Sequence, residues 1–158
     1  MSAAAIMWGM LKYQTIPVTP FAQNCSLIWC DEIKEAAVID PGGDLDRLMD
    51  AVSTLGLNLR HIWLTHAHID HAGGTGQLAR ELDLPIIGPH PGDQFWIDAL
   101  PEQSQMFNFA PAETFQPTRW LNDGDTVSLG AHEIQCVTVL GIRRATWSFT
   151  PPKLSARL

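Results

Sequence analysis

The sequence has little positive charge, because ten lysine and arginine residues stand against 17 aspartate and glutamate residues, for a net charge of −7. Phosphate backbones bind basic surfaces, so this balance argues against nucleic acid as the main partner. No apolar run is long enough to cross a bilayer, and we expect no membrane partner.

Cysteine is also scarce. Only Cys25, Cys30 and Cys136 occur, and they form no Cys-x-x-Cys pair and no disulfide-rich spacing. We interpret them as small buried apolar residues rather than as redox groups or metal ligands. This usage favours a reducing compartment, and hence the cytoplasm.

The chain does have enough apolar material for a folded domain, since 46% of its 158 residues are hydrophobic. That length suits one domain with a sizeable core. Residues 1–9 are predicted to be an N-terminal extension ahead of Met10. They have no basic residue before their apolar part and no cleavage site after it, so a signal peptide is not expected.

Local patterns predict a layered domain of mixed α and β structure. Strands are predicted at residues 13–19, 25–30, 36–39, 62–65 and 85–88, and helices at residues 45–55 and 75–82. Residues 90–119 are rich in Pro, Gln and Phe and predict a loop with one short helix at residues 95–100. The alternation over residues 120–139, with its Asp-Gly and Leu-Gly turns, predicts antiparallel strands.

Four potential metal ligands lie within six residues of the segment LTHAHIDHAGG, at His66, His68, Asp70 and His71. Imidazole and carboxylate groups suit zinc, iron and manganese. His66 and His68, one residue apart in extended chain, can grip one ion, and the adjacent Asp70 and His71 can serve a second. Two such ions can share a hydroxide, which is a strong nucleophile at neutral pH.

The alternative to metal binding is that these four residues are simply polar side chains on a surface loop. We apply that interpretation to the isolated histidines, His61, His90 and His132, which we expect to be ordinary surface or satisfied residues. The density of the cluster after a predicted buried strand favours metal binding there.

LTHAHIDHAGG resembles the THxHxDHxGG signature of the metallo-β-lactamase superfamily. The DPGG turn at residues 40–43, LNDGD at residues 121–125 and IPVTPFAQNCSLIWC at residues 16–30 extend the likeness to the glyoxalase II-like hydrolases. It covers residues 10–136 and is closest to the short single-domain bacterial members.

The resemblance implies an α+β fold, the N-terminal half of an αββα sandwich, with two zinc ions at one edge, iron or manganese being possible in their place. His66 and His68 would bind the first ion, and Asp70 and His71 the second. Asp70 would also be catalytic, by orienting a metal-bound hydroxide that hydrolyses a thioester such as S-lactoylglutathione. No separate organic cofactor site is implied.

The family pattern also requires a His in a GHTPGH-like motif, a bridging Asp in a Gly-Asp turn and a late His, and this chain lacks all three. The segment after Cys136 has no His, Asp or Glu, and the last 16 residues carry four basic side chains. A basic C-terminal tail is one interpretation. The other is a frameshift, because Val137 to Phe149, with the first two bases of the Thr150 codon, can be encoded so that the shifted frame spells HCPGHTPGHVVFY.

We therefore expect a partial domain at residues 10–136 and an out-of-frame tail at residues 137–158, from a mutation or a sequencing error. Two hypotheses follow: a metallo-hydrolase of glyoxalase II type that is inactive in this form, and a non-enzymatic fragment with a residual metal-binding loop. A weaker third keeps the fold but changes the substrate, since superfamily members also act on lactams, sulfur species and nucleic acids. The sequence does not specify an oligomeric state.

Overall fold

The fold consists of two β-sheets and a set of helices. The computed structural model describes the backbone of residues 10–139 and 144–149, and the side chains of residues 10–136. The first sheet has the order β1-β2-β3-β4-β5 and the second the order β6-β7-β8. The strands are β1 (Leu11–Val18), β2 (Gln23–Cys30), β3 (Glu35–Ile39), β4 (Asn58–Trp63), β5 (Ile86–Ile87), β6 (Thr126–Leu129), β7 (His132–Val139) and β8 (Arg144–Phe149).

The described chain has five α-helices, of which three lie between strands of the first sheet and two lie between β5 and β6. They are α1 (Leu45–Thr54), α2 (Ile69–Ala72), α3 (Thr75–Leu82), α4 (Gln94–Asp98) and α5 (Leu100–Met106), and a 3₁₀ turn (Pro91–Asp93) precedes α4. Within the described residues, no helix is both long and apolar enough to cross a membrane.

The first sheet separates two apolar clusters, because successive side chains of a strand point to opposite faces. Ala36 and Val38 of β3 belong to the cluster that includes Leu48 of α1 and Leu78 of α3. Ala37, between them, belongs to the cluster formed with the second sheet. The layers are therefore helices, first sheet and second sheet, which confirms the expected α+β fold of a partial αββα sandwich.

β1, β2 and β3 pair antiparallel, whereas β3, β4 and β5 pair parallel. The carboxyl ends of β3 and β4 consequently lie side by side. The backbone N–H of Asp40, just after β3, donates to the carbonyl oxygen of Trp63 at the end of β4, at 3.0 Å. The chain segments that follow these two strands are thus brought to one edge of the sheet.

Most predicted elements are confirmed, with the helix at residues 75–82 matching α3 in full. β4 begins at Asn58, earlier than the predicted residue 62, and ends at Trp63, so Thr65 lies outside the strand. The prediction for residues 90–119 was wrong in one respect, because it missed α5. Pro101 lies in the first turn, where proline is tolerated, and buried Gln103 and Ser104 interrupt the apolar pattern.

The second sheet extends beyond the region of predicted strands. β7 pairs antiparallel with β8, with Cys136 opposite Trp147. The sequence pattern predicted no strand at residues 144–149. The assignments of residues 1–9 as an extension and of residues 137–158 as an out-of-frame tail stay predictions, and residues 1–9, 140–143 and 150–158 lie outside the described part of the chain.

Candidate metal centre

The four predicted ligands lie on the segment that leaves the carboxyl end of β4. Leu64, which is fully buried, still donates its N–H to the carbonyl oxygen of Ile87 at 3.0 Å. The chain then departs from the sheet, and His68 has extended backbone angles before α2 begins at Ile69. Asp70 and His71 therefore lie on the first turn of helix that follows the two spaced histidines.

The structure brings the side chains of this segment into one cluster. The ring of His66 lies 3.7 Å from the ring of His71 and 4.8 Å from the ring of His68, measured between centroids. Oδ2 of Asp70 lies 3.5 Å from Nε2 of His71. His66 is buried, and the other three side chains are partly exposed, so the cluster is open on one side.

Asp40, from the DPGG turn after β3, belongs to the same centre. Asp40, His66 and His71 each offer one potential ligand atom within 4.8 Å of the other two. Asp40 is buried, and its carboxylate already accepts the N–H of Thr65 at 2.8 Å and the hydroxyl of Thr65 at 2.6 Å. We therefore assign Asp40 to holding its neighbours rather than to binding an ion directly.

Asp40 sets the proton position on two histidines. Nδ1 of His71 lies 3.0 Å from Oδ2 of Asp40, and a carboxylate only accepts, so Nδ1 carries the proton. Oγ1 of Thr65 lies 2.9 Å from Nδ1 of His66. Because the Thr65 hydroxyl donates its proton to Asp40, its oxygen accepts from His66 Nδ1–H. Each of these rings then presents the lone pair of Nε2 as its ligand atom.

Two turns of backbone pack together beneath the cluster, and glycine is required there. A Cβ on Gly42 would lie 1.8 Å from the carbonyl oxygen of Asp70. A Cβ on Gly74 would lie 2.7 Å from the carbonyl oxygen of Pro41, to which the Gly74 N–H donates at 2.9 Å. The DPGG turn and the ligand segment therefore approach each other more closely than any side chain permits.

The remaining histidines lie apart from the cluster, as expected. His61 stacks on Trp63, and burial lowers the pKa of its imidazole. His90 accepts the N–H of Gly92 at 2.9 Å and caps the 3₁₀ turn, whereas His132 is buried in the second sheet. Cys25 lies close enough to Asp40 to feel its charge, but burial is the main cause that raises the pKa of its thiol. A thiol held protonated is a poor ligand.

Sequence patterns missed three residues of this centre besides Asp40. Asp93 and Gln103 accept backbone N–H groups of the ligand segment, and the ring of Trp96 meets the ring of His68 edge-to-face at 4.6 Å. Asp40 was recognised only as part of a turn. Its position directly after a strand that runs parallel to β4 is the signal that could have identified it.

The donor set fits a divalent first-row metal ion, because three imidazoles and one carboxylate lie on a single segment with a buried carboxylate behind them. Zinc, iron and manganese all accept such donors. The identity of each ligand and the number of ions stay predictions.

Comparison with known proteins agrees with this architecture. The family model described as "Metallo-beta-lactamase superfamily" matches residues 18–141. Hydroxyacylglutathione hydrolase GloC of Haemophilus influenzae is 42% identical over 132 residues, which are 83% of this chain and 62% of that protein. The chain thus spans less than two thirds of the length of that relative.

Two solved structures share the fold. The B3 metallo-beta-lactamase BLEG-1 superposes with a TM-score of 0.73 at 25% identity, over 89% of this chain and 67% of that one. TTHA1623 in a di-iron-bound form superposes with a TM-score of 0.69 at 27% identity, over 88% of this chain and 67% of that one. With the family model covering most of its residues, and with a glyoxalase II-like hydrolase among its similar proteins, this chain belongs to the metallo-beta-lactamase superfamily.

Proposed function

We propose that the described residues form the metal-binding half of a metal-dependent hydrolase that acts on a thioester such as S-lactoylglutathione. The observation that carries this proposal is the clustering of the predicted ligands after β4, where the rings of His68 and His71 both lie against the ring of His66 and Asp70 lies beside His71. The relative named hydroxyacylglutathione hydrolase supports the choice of a thioester over a lactam.

In this proposal His66 and His68 hold one ion, and Asp70 and His71 hold a second. Bound ions supply a Lewis acid and lower the pKa of water at the site. The protein's own contribution is orientation. Asp40 keeps Nδ1 of His71 protonated directly and Nδ1 of His66 protonated through Thr65, so that both Nε2 atoms are free of protons.

Asp70 has the second role of orienting the nucleophilic water. Its carboxylate is partly exposed and lies beside Nε2 of His71, on the open side of the cluster. A carboxylate at that position accepts a proton from water and holds the water in a fixed direction, which is the contribution that a general base makes.

The 158-residue chain by itself is expected to bind metal weakly and to hydrolyse little. A catalytic zinc site uses three protein ligands and a water, whereas the cluster offers two ligands to each ion. The competing proposal is a non-enzymatic fragment that retains a metal-binding loop. The net charge of −7 favours a small-molecule partner over nucleic acid, and we propose a cytoplasmic location.

The proposal that residues 137–158 are an out-of-frame tail can be tested by sequencing the gene. The gene is read independently from Cys136 through several hundred bases, and a shifted frame that stays open and encodes a Gly-Asp turn and a later His supports it. The product of that frame is then loaded with zinc and assayed on S-lactoylglutathione and on a β-lactam. Hydrolysis of the thioester alone is expected. A frame that closes at once, or a product inert towards thioesters, would contradict the proposal.

A further inference from the structure

Three alternate backbone N–H groups of the ligand segment are each bound by a side-chain oxygen from elsewhere in the chain. Thr65 N–H donates to Oδ1 of Asp40 at 2.8 Å. Ala67 N–H donates to Oδ2 of Asp93 at 3.1 Å, and Ile69 N–H donates to Oε1 of Gln103 at 3.1 Å. Asp40 comes from the turn after β3, whereas Asp93 and Gln103 both come from the segment of residues 91–106.

These bonds alternate with the predicted ligands. Ala67 and Ile69 turn their side chains into the core, while His66 and His68 belong to the ligand cluster. The N–H of Ala67 belongs to the peptide that joins His66 to Ala67, and the N–H of Ile69 belongs to the peptide that joins His68 to Ile69. Holding these two N–H groups therefore fixes the peptide plane that follows each of the two histidines. The backbone hydrogen bonds then restrain the direction in which the Cα–Cβ bonds of His66 and His68 leave the chain.

Asp93 and Gln103 are placed in an apolar environment where polar side chains are costly unless they are hydrogen-bonded. Both are buried, at 4% and 7% exposure, beside the fully buried Ile97 and Leu100. Both polar atoms of the Gln103 amide make hydrogen bonds. Its Oε1 accepts from Ile69 N–H, and its Nε2 donates to the carbonyl oxygen of Trp96 at 3.0 Å. Gln103 therefore joins α4 to the ligand segment.

Trp96, whose carbonyl oxygen accepts from Gln103, also contacts the imidazole ring of His68. Its indole meets the imidazole of His68 edge-to-face, with the centroids 4.6 Å apart. One residue, Gln103, thus holds both the backbone that follows His68 and the residue whose ring limits the movement of His68. Apolar side chains of the same volume would fill this space without making either bond.

We propose that Asp93 and Gln103 are positioning residues, which hold the backbone of the ligand segment so that His66 and His68 meet one ion. This inference rests on the proposed function, because it assigns a purpose to the metal ligands. It adds a role for the segment of residues 91–106 that the proposed function does not include.

The test compares isosteric variants with matched controls. Gln103→Met keeps the volume of the side chain and removes the acceptor, and Gln105→Met is the control on an exposed position of the same helix. Asp93→Leu removes the second acceptor, and Asp93→Asn retains an oxygen for Ala67 N–H. Each chain is titrated with Co²⁺, followed by its visible spectrum, and its amide exchange is measured by NMR.

In Gln103→Met we expect faster exchange at Ile69 but not at Thr65, and a loss of Co²⁺ affinity of about 10–100-fold. Asp93→Leu should lose affinity to a similar extent, Asp93→Asn should restore most of it, and Gln105→Met should match the wild type. If Gln103→Met and Asp93→Leu lower the melting temperature but bind Co²⁺ as the wild type does, the two residues are merely structural and the inference is wrong.

Failure of the proposed function gives a different result. If the wild type binds no Co²⁺, the proposed metal site fails, and the NMR signals of the imidazole rings decide the positioning claim. Displacement of the His68 ring signals in Gln103→Met, with those of His90 unchanged, supports it. Unchanged His68 signals would overturn it.

Discussion

Oδ2 of Asp40 lies 3.0 Å from Nδ1 of His71, so that a buried carboxylate after β3 orients an imidazole that lies on the segment after β4. The same oxygen accepts the hydroxyl proton of Thr65 at 2.6 Å, and Thr65 in turn lies against His66. Two of the predicted ligands therefore have their protonated nitrogen chosen by one residue that is 26 or more positions away in the sequence.

Asp40→Asn tests this arrangement. The amide has one oxygen and an NH₂ group, so it cannot accept from Thr65 and His71 as the carboxylate does. We expect Co²⁺ or Zn²⁺ affinity to fall about 10–100-fold. The control is Asp46→Asn, at an exposed position of α1, which should bind metal as the wild type does. Equal affinities for the two variants would show that Asp40 does not orient the ligands.

Gly42→Ala should disrupt the contact between the DPGG turn and the ligand segment. The added Cβ would lie 1.8 Å from the carbonyl oxygen of Asp70, and backbone must move to accept it. We expect the free energy of unfolding to fall by at least ~1–3 kcal/mol, the usual cost of overpacking. At Gly43 a Cβ would meet only Cγ2 of Thr19, at 3.3 Å, so Gly43→Ala is the matched control with a smaller loss. Urea denaturation of both variants measures the difference, and a similar loss in both would contradict the close packing.

The lowered pKa of His61 leads us to expect that the free energy of unfolding depends on pH. Burial is the largest cause that lowers the pKa of its imidazole from the usual 6.5, and Glu35 partly opposes it. The unfolded chain therefore binds more protons than the folded chain in the window below that usual value. Stability contributed by neutral His61 is present above the window and is lost as the pH falls through it.

The variant His61→Gln has no such group to titrate. Between about pH 7.5 and pH 5.5, thermal unfolding should show a smaller fall in melting temperature for His61→Gln than for the wild type. Comparing the difference between the two chains removes the contribution of the other histidines. If both chains lose the same number of degrees, His61 does not couple its protonation to folding.

Patterns within short stretches of the sequence predicted the strands and helices that are determined by the spacing of their own apolar residues. Alternation found the strands around β2 and β3, and helical spacing found α3 to the residue. α5 was missed because Gln103 faces inward for a hydrogen bond with Ile69, which breaks the apolar period. A side chain buried for a distant partner gives no local signal.

The residues of the candidate site likewise fall into a group that the sequence pattern identified and a group that it missed. The ligands His66, His68, Asp70 and His71 are recognisable because their spacing lies within one short segment. Their supports are not, since Asp40, Asp93 and Gln103 lie 25 to 34 positions from the N–H groups that they accept. Only the parallel pairing of β3 with β4, and the packing of α4 and α5 on the ligand segment, bring these groups together.

The metal centre is tested most directly by a competition titration of the 158-residue chain with Zn²⁺ against a chelating dye. The double variant His66→Ala/His71→Ala and the control His90→Ala are titrated beside it. We expect saturable but weak binding by the wild type and by His90→Ala, and none by the double variant. Binding that survives in the double variant, or no binding by the wild type, would contradict the assignment of the metal centre. Two tightly held ions per chain would contradict the expectation that this chain alone forms an incomplete site.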